Sequence, residues 1–150
     1  MLITDLNTVE LHERGPGIRV SFPLQSAVGT ASTATVWMEL DADGVLPEHT
    51  DSAEELLLVL EGEVEATVGD ETGPLGEGQI AVVPALVPHG LRNIGGRRAR
   101  VLGFFSSATN IAVFSEPQGP DRLRVVVVGA PMPLAAPLDE VAVMAASGRP

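Results

Sequence analysis

Gly44-Val-Leu-Pro-Glu-His49-Thr-Asp51-Ser-Ala-Glu-Glu55 and Gly78-Gln-Ile-Ala-Val-Val-Pro84-Ala-Leu-Val-Pro-His89-Gly-Leu-Arg-Asn93 are the stretches whose reading decides the fold. Each is an extended run cut by Gly and Pro, and each holds one of the three histidines in the chain. Residues 49, 51 and 55 share parity on an extended chain, so His49, Asp51 and Glu55 can project to one face. His89 joins them if its strand lies alongside. Two imidazoles and one or two carboxylates meeting inside a barrel suit a divalent metal ion, with iron, manganese, zinc and nickel as the candidates.

The rhythm on either side is one of short strands. Thr35–Leu40 reads as a strand closed by the turn Asp41-Ala-Asp-Gly44. Val64, Ala66 and Val68 alternate with Glu63, Glu65 and Thr67, a half-exposed strand closed by Gly69-Asp70. Residues 79–83, 91–93 and 99–105 continue the series, and no helical stripe precedes residue 137. The expectation is an all-β sandwich or barrel, jelly rolls included. Leu56, Leu58 and Leu60 are as apolar as Leu57 and Val59, so both faces of that strand need cover. A second subunit is the expected cover, hence a homodimer.

Five of the twelve prolines fall between Pro117 and Pro137, around a further strand at residues 124–128. Pro and acids at the start of 137–148, and Gly at its end, predict a short C-terminal helix. The expected layout is one domain over residues 1–150: N-terminal strands 1–32, a barrel core 33–106 and a C-terminal arm 107–150.

The two opening stretches resemble the paired motifs of the cupin family, G-x5-H-x-H-x3/4-E-x6-G and G-x5-P-x-G-x2-H-x3-N. His49, Glu55 and Gly62 take the first motif's places, and Gly78, Pro84, His89 and Asn93 those of the second. The resemblance implies a double-stranded β-helix (jelly-roll) barrel, with His49, Glu55 and His89 as metal ligands. Three positions depart from it. Four residues rather than five separate Gly44 from His49. Leu86 stands in place of a glycine, so its turn is expected to avoid positive φ. Asp51 replaces the second histidine, which adds a carboxylate to the site or leaves Glu55 behind the ligands.

Composition narrows the chemistry. The chain has no Cys and no Tyr, and all nine of its basic residues are Arg. Thiolate, zinc–thiolate, iron–sulfur and lysine Schiff-base chemistry are therefore excluded. A net charge of −11 disfavours nucleic acid and anionic membranes as partners. Without a basic, apolar leader or a long apolar run, the expected setting is the cytoplasm. The leading functional expectation is a metal-dependent dioxygenase acting on a small, largely apolar molecule in a pocket lined or capped by Trp37 and Phe104 or Phe105. A cupin isomerase or lyase and a non-catalytic binding module are the alternatives. A third is a facial-triad oxygenase of the 2-oxoglutarate type, with Arg98 or Arg100 holding the cosubstrate carboxylate. His12 and Arg92 are expected to be exposed, and Glu61–Glu65 to form a solvated strand face.

Overall fold

The computed structural model describes residues 1–129, so the helix expected at 137–148 lies outside the described residues. Twelve strands follow in order: β1 (His12–Gly15), β2 (Ile18–Ser21), β3 (Ala34–Leu40), β4 (Val45–Asp51), β5 (Glu55–Glu61), β6 (Glu63–Val68), β7 (Glu71–Gly76), β8 (Ile80–Val83), β9 (His89–Asn93), β10 (Ala99–Phe105), β11 (Asn110–Gln118) and β12 (Leu123–Val128). A single 3₁₀ turn, Ser26–Val28, is the only helical element among the described residues. None of their helices is long and apolar enough to cross a membrane.

The strands form two antiparallel six-stranded sheets, β1-β2-β3-β10-β5-β8 and β12-β11-β4-β9-β6-β7. They face each other as the expected jelly-roll barrel. Period-two alternation sends Val36, Met38, Leu57, Val59, Val101 and Phe105 inward from the first sheet, and Val64 and Leu91 inward from the second. Burying side chains of this size contributes about 1.5–3 kcal/mol each. The described part of the expected C-terminal arm, residues 107–129, is largely barrel wall. β11 pairs with β4 through Ala112↔Asp51 and Phe114↔His49, and β12 pairs with β11.

The pleat also corrects the place of Trp37. Val36 and Met38 point into the barrel, so Trp37 points out, in register with Leu102, which in turn pairs with Leu58. It does not cap the pocket. Phe105 lines it, while Phe104 is on the outer face, 39% exposed.

Leu86 differs from expectation as well. It adopts φ 66°, in the left-handed region. Val87 N–H donates to Pro84 O at 3.2 Å across a turn that places Leu86 third, where a glycine would be unstrained. Leu86 N–H also donates to Asp51 O at 2.8 Å, which ties the turn to β4 and holds the conformation. The left-handed geometry costs a residue with a side chain about 1–2 kcal/mol.

Candidate metal centre

Backbone features aim the histidines. The pairing of β4 with β9 runs Val45↔Arg92 and Leu46↔Leu91, then slips by one residue before His49↔His89. The irregularity at Pro47-Glu48 is a bulge, which lets both Leu46 and His49 face inward although an odd number of positions separates them. Proline is tolerated where the ladder is broken. Gly90 accommodates the bulge, because a Cβ there would lie 2.8 Å from Leu46 O.

His49 and His89 face each other with ring centroids 4.2 Å apart. His49 Nδ1 lies 2.8 Å from Pro47 O, and His89 Nδ1 lies 2.9 Å from Val87 O. Each carbonyl selects the tautomer with hydrogen on Nδ1, which leaves Nε2 as the metal-facing atom. Asp51 Oδ2 lies 3.5 Å from His49 Nε2 and 3.1 Å from His89 Nε2. The ligand atoms of His49, Asp51 and His89 all lie within 4.8 Å of one another. Asp51 Oδ2 and His89 Nε2 are buried with no hydrogen-bond partner in line. Buried polar atoms left without partners are costly, and a shared cation satisfies both at once. The His-Asp-His cluster is thus able to bind a metal ion.

Glu55 reaches the cluster from the other side of the barrel. The chain crosses at residues 52–54 from the second sheet to the first, so Glu55 faces His49 and Asp51 rather than continuing their row. Its Oε2 lies 3.3 Å from His89 Nε2. The space it fills depends on Gly103, whose Cβ, if present, would overlap Glu55 Oε1 and lie 2.5 Å from Val36 Cγ1. All four expected site residues therefore meet: Asp51 closes the tight triad, and Glu55 approaches the same Nε2 of His89 from the opposite wall.

The electrostatics follow from burial and neighbours. Burial alone would raise the Asp51 carboxyl, but the flanking His49 and His89 and a hydrogen bond from Asn110 hold it well below the ordinary carboxylate range. Burial pushes Glu55 up, and the Asp51 charge adds to this, against the opposing pull of His89. Burial would lower His89, yet Asp51 and Glu55 outweigh it and push the imidazole up to about 10.

Two contributors carried no signal in the motif spacing. Asn110 Nδ2 donates to Asp51 Oδ1 at 2.6 Å, so one carboxylate oxygen is pinned and the other faces the histidines. Phe114 stacks on His49 with centroids 4.7 Å apart and planes 23° apart. Both lie on β11, beyond the stretch that the motifs span. Other motif residues serve the fold. Asn93 Nδ2 donates to the carbonyls of Leu40, Asp41 and Arg97, which ties the end of β3 to the β9–β10 turn. Glu54 and His12 are exposed, as is Arg92, which pairs with Glu65 at 3.1 Å.

Above the triad the barrel holds a pocket walled by Ile18, Phe22, Met38, Leu46, Phe105, Phe114 and Val126, with a cavity volume of about 70 Å³. Arg98 and Arg100 are not part of it. They point outward from β10 and pair with Glu39 at 3.2 Å each, which removes the 2-oxoglutarate anchor that their spacing suggested.

The comparisons agree with this architecture. The solved cupin domain of Schizosaccharomyces pombe Cnp3 matches with a TM-score of 0.60 and 19% identity, over 69% of this chain and 72% of that one. KdgF from Halomonas sp. matches at 0.59 and 20%, over 67% and 90%. The polyketide cyclase RemF from Streptomyces resistomycificus matches at 0.61 and 23%, over 70% and 78%. No curated protein matches the sequence. Residues 36–105 match the family described as Cupin domain, a span that holds both motifs and all four acid and imidazole groups of the site. With the paired motifs, the two-sheet barrel and that match in agreement, residues 36–105 are a cupin domain.

Proposed function

We propose that this cupin is a metal-dependent oxygenase for a small, largely apolar molecule. One observation supports it above the others: two imidazoles and one carboxylate converge at the end of an apolar pocket. Two His and one carboxylate with open positions is the donor set typical of non-haem iron, which supplies oxygen activation when bound. His49, Asp51 and His89 would hold the ion. Phe22, Met38 and Phe114 exclude water and orient an apolar body beside it. Glu55, whose carboxyl burial pushes up, is placed to exchange a proton with a bound molecule.

That last property favours a second reading, an isomerase or lyase in which Glu55 is the acid–base group. Ferrous and zinc titrations of Asp51→Ala and Glu55→Gln test the metal assignment. Asp51→Ala should weaken binding by more than the roughly 10–100-fold typical of groups behind the ligands, and Glu55→Gln by no more than that. The reverse order would move the ion to a His49, Glu55 and His89 set. Oxygen uptake with the iron-loaded protein separates oxygenase from isomerase or lyase.

A second copy is the proposed cover for the outer face of the first sheet. Leu56, Ile80, Val82 and Phe104 stand there 38%, 58%, 55% and 39% exposed. Beside them Arg19, Arg98 and Arg100 pair with Glu39, Asp41 and Glu61, so this face carries balanced charge in an otherwise acidic chain. Two copies can meet on it without like-charge repulsion.

A further inference from the structure

The pocket has a second polar end. β1 and β12 are each one edge strand of their sheets, and the cavity reaches from the triad to the gap between them. Gly119, in the β11–β12 turn, lies against β1 closely enough that a Cβ there would sit 3.8 Å from Arg14 O. At this lip the lining residues are Arg14, Gln118, Pro120 and Asp121. Gln118 Nε2 is engaged with Glu116 O at 2.7 Å, and Asp121 is exposed to solvent.

Arg14 is set apart from the other arginines. Arg19, Arg92, Arg98 and Arg100 are ion-paired, and Arg124 donates to the Phe114 and Ser115 carbonyls. Arg97 and Arg122 are exposed on turns. Among the described arginines only Arg14 combines partial burial with a place in the pocket lining, and it makes no ion pair with any described residue. The chain holds twenty carboxylate side chains, so an uncommitted arginine is not explained by a shortage of partners. A guanidinium partly withdrawn from water and lacking a counter-charge is a strong site for a planar anion, which it can grip with two parallel hydrogen bonds. The opposite end of the pocket carries Asp51 and Glu55, so an acidic group is directed toward the lip.

Deepening the functional reading, on which it rests for the pocket's being the substrate site, we propose that the ligand is a slim monocarboxylic acid. Its carboxylate sits on Arg14 and its apolar body runs inward between Phe22 and Phe114 toward the triad. The cavity of about 70 Å³ limits that body to a short aliphatic chain unless the walls move. Asp121 on the lip disfavours a second negative charge beside the first.

Hexanoate and hexanamide, nearly the same shape and differing in charge, are the probes. Calorimetric titration of the protein without added metal should give about tenfold tighter binding, or more, for hexanoate. Arg14→Gln should abolish the preference, whereas Arg97→Gln, outside the pocket, should keep it. Equal affinities in the wild type, binding of neither probe, or a preference that survives in Arg14→Gln would overturn the proposal. So would a preference that appears only with zinc loaded, since the carboxylate would then be on the ion. Zinc titration of Arg14→Gln keeps the two readings apart. Unchanged metal binding with a lost preference supports Arg14, and a protein that binds no metal but prefers hexanoate defeats the metal reading alone.

Discussion

Replacing Asn110 with alanine should separate the support of the triad from the triad itself. The side chain is 1% exposed and makes three bonds: Nδ2 to Asp51 Oδ1 at 2.6 Å, and Oδ1 from Ala53 N–H at 3.1 Å and Ser52 Oγ at 3.2 Å. Losing the bond to a charged carboxylate costs about 1.5–3 kcal/mol, and leaving the buried Ala53 N–H without a partner costs about 1–3 kcal/mol more. A loss of about 2.5–6 kcal/mol follows, a large share of the 5–15 kcal/mol typical of a folded domain. Released from Asn110, the Asp51 carboxylate can rotate away from the histidines, and zinc affinity should fall by about 10–100-fold. Urea denaturation gives the first quantity and zinc titration the second. Ser52→Ala is the control, because it weakens the same segment through Asn110 Oδ1 and Ile111 N–H without touching Asp51. If Asn110→Ala loses stability yet binds zinc as the wild type does, Asn110 serves the barrel alone and the positioning argument fails.

Three further outcomes are expected. Because His89 is pushed up to about 10 and must be neutral to bind an ion, zinc affinity should rise about tenfold per pH unit between about pH 7 and about pH 9. Without metal, the same group contributes stability that is complete below its unfolded value of 6.5 and is lost as pH rises through about 10, so denaturation should show stability falling across that window while affinity climbs. Leu58→Glu puts a charge between Leu102 and Ile80 on the outer face, and light scattering should then find monomers; a stable dimer would place the interface elsewhere. Leu86→Gly relieves the left-handed strain at a smaller entropic cost, and should raise stability by up to about 1 kcal/mol, with a loss of stability refuting the strain.

The spacing of the motifs made His49, Asp51, Glu55 and His89 legible because those residues lie on strand ends whose distances along the chain are set by glycine turns. What spacing could not convey is which sheet each strand enters. Residues 49, 51 and 55 share parity, yet the crossing at 52–54 means that Glu55 meets the others from the opposite wall. Trp37 differs for another reason. It shares its strand face with Thr35 and Glu39, opposite Val36, Met38 and Leu40, so alternation marks that face as outward and only the size of the indole suggests the pocket. Asn110 and Phe114 were invisible because Asn110–Gln118 mixes apolar residues with Ser, Glu and Pro and reads as an arm. Only pairing with β4 brings it to the site. At Leu86 the rule that side chains avoid positive φ was outweighed by hydrogen bonds on either side of the turn.

The division of the site between the two sheets has a mechanical consequence. His49, Asp51, His89 and the supporting Asn110 all belong to adjacent strands β4, β9 and β11 of one sheet, cross-linked by ladder bonds. Glu55 and Arg14 belong to the other sheet. Parting of the sheets at the β1 and β12 edges would widen the entrance and draw Glu55 away from His89, while the distances among the three triad residues stay fixed. Ion retention and ligand exchange would thereby be uncoupled: the sheets could part to admit a ligand without disturbing the cluster that would hold the ion.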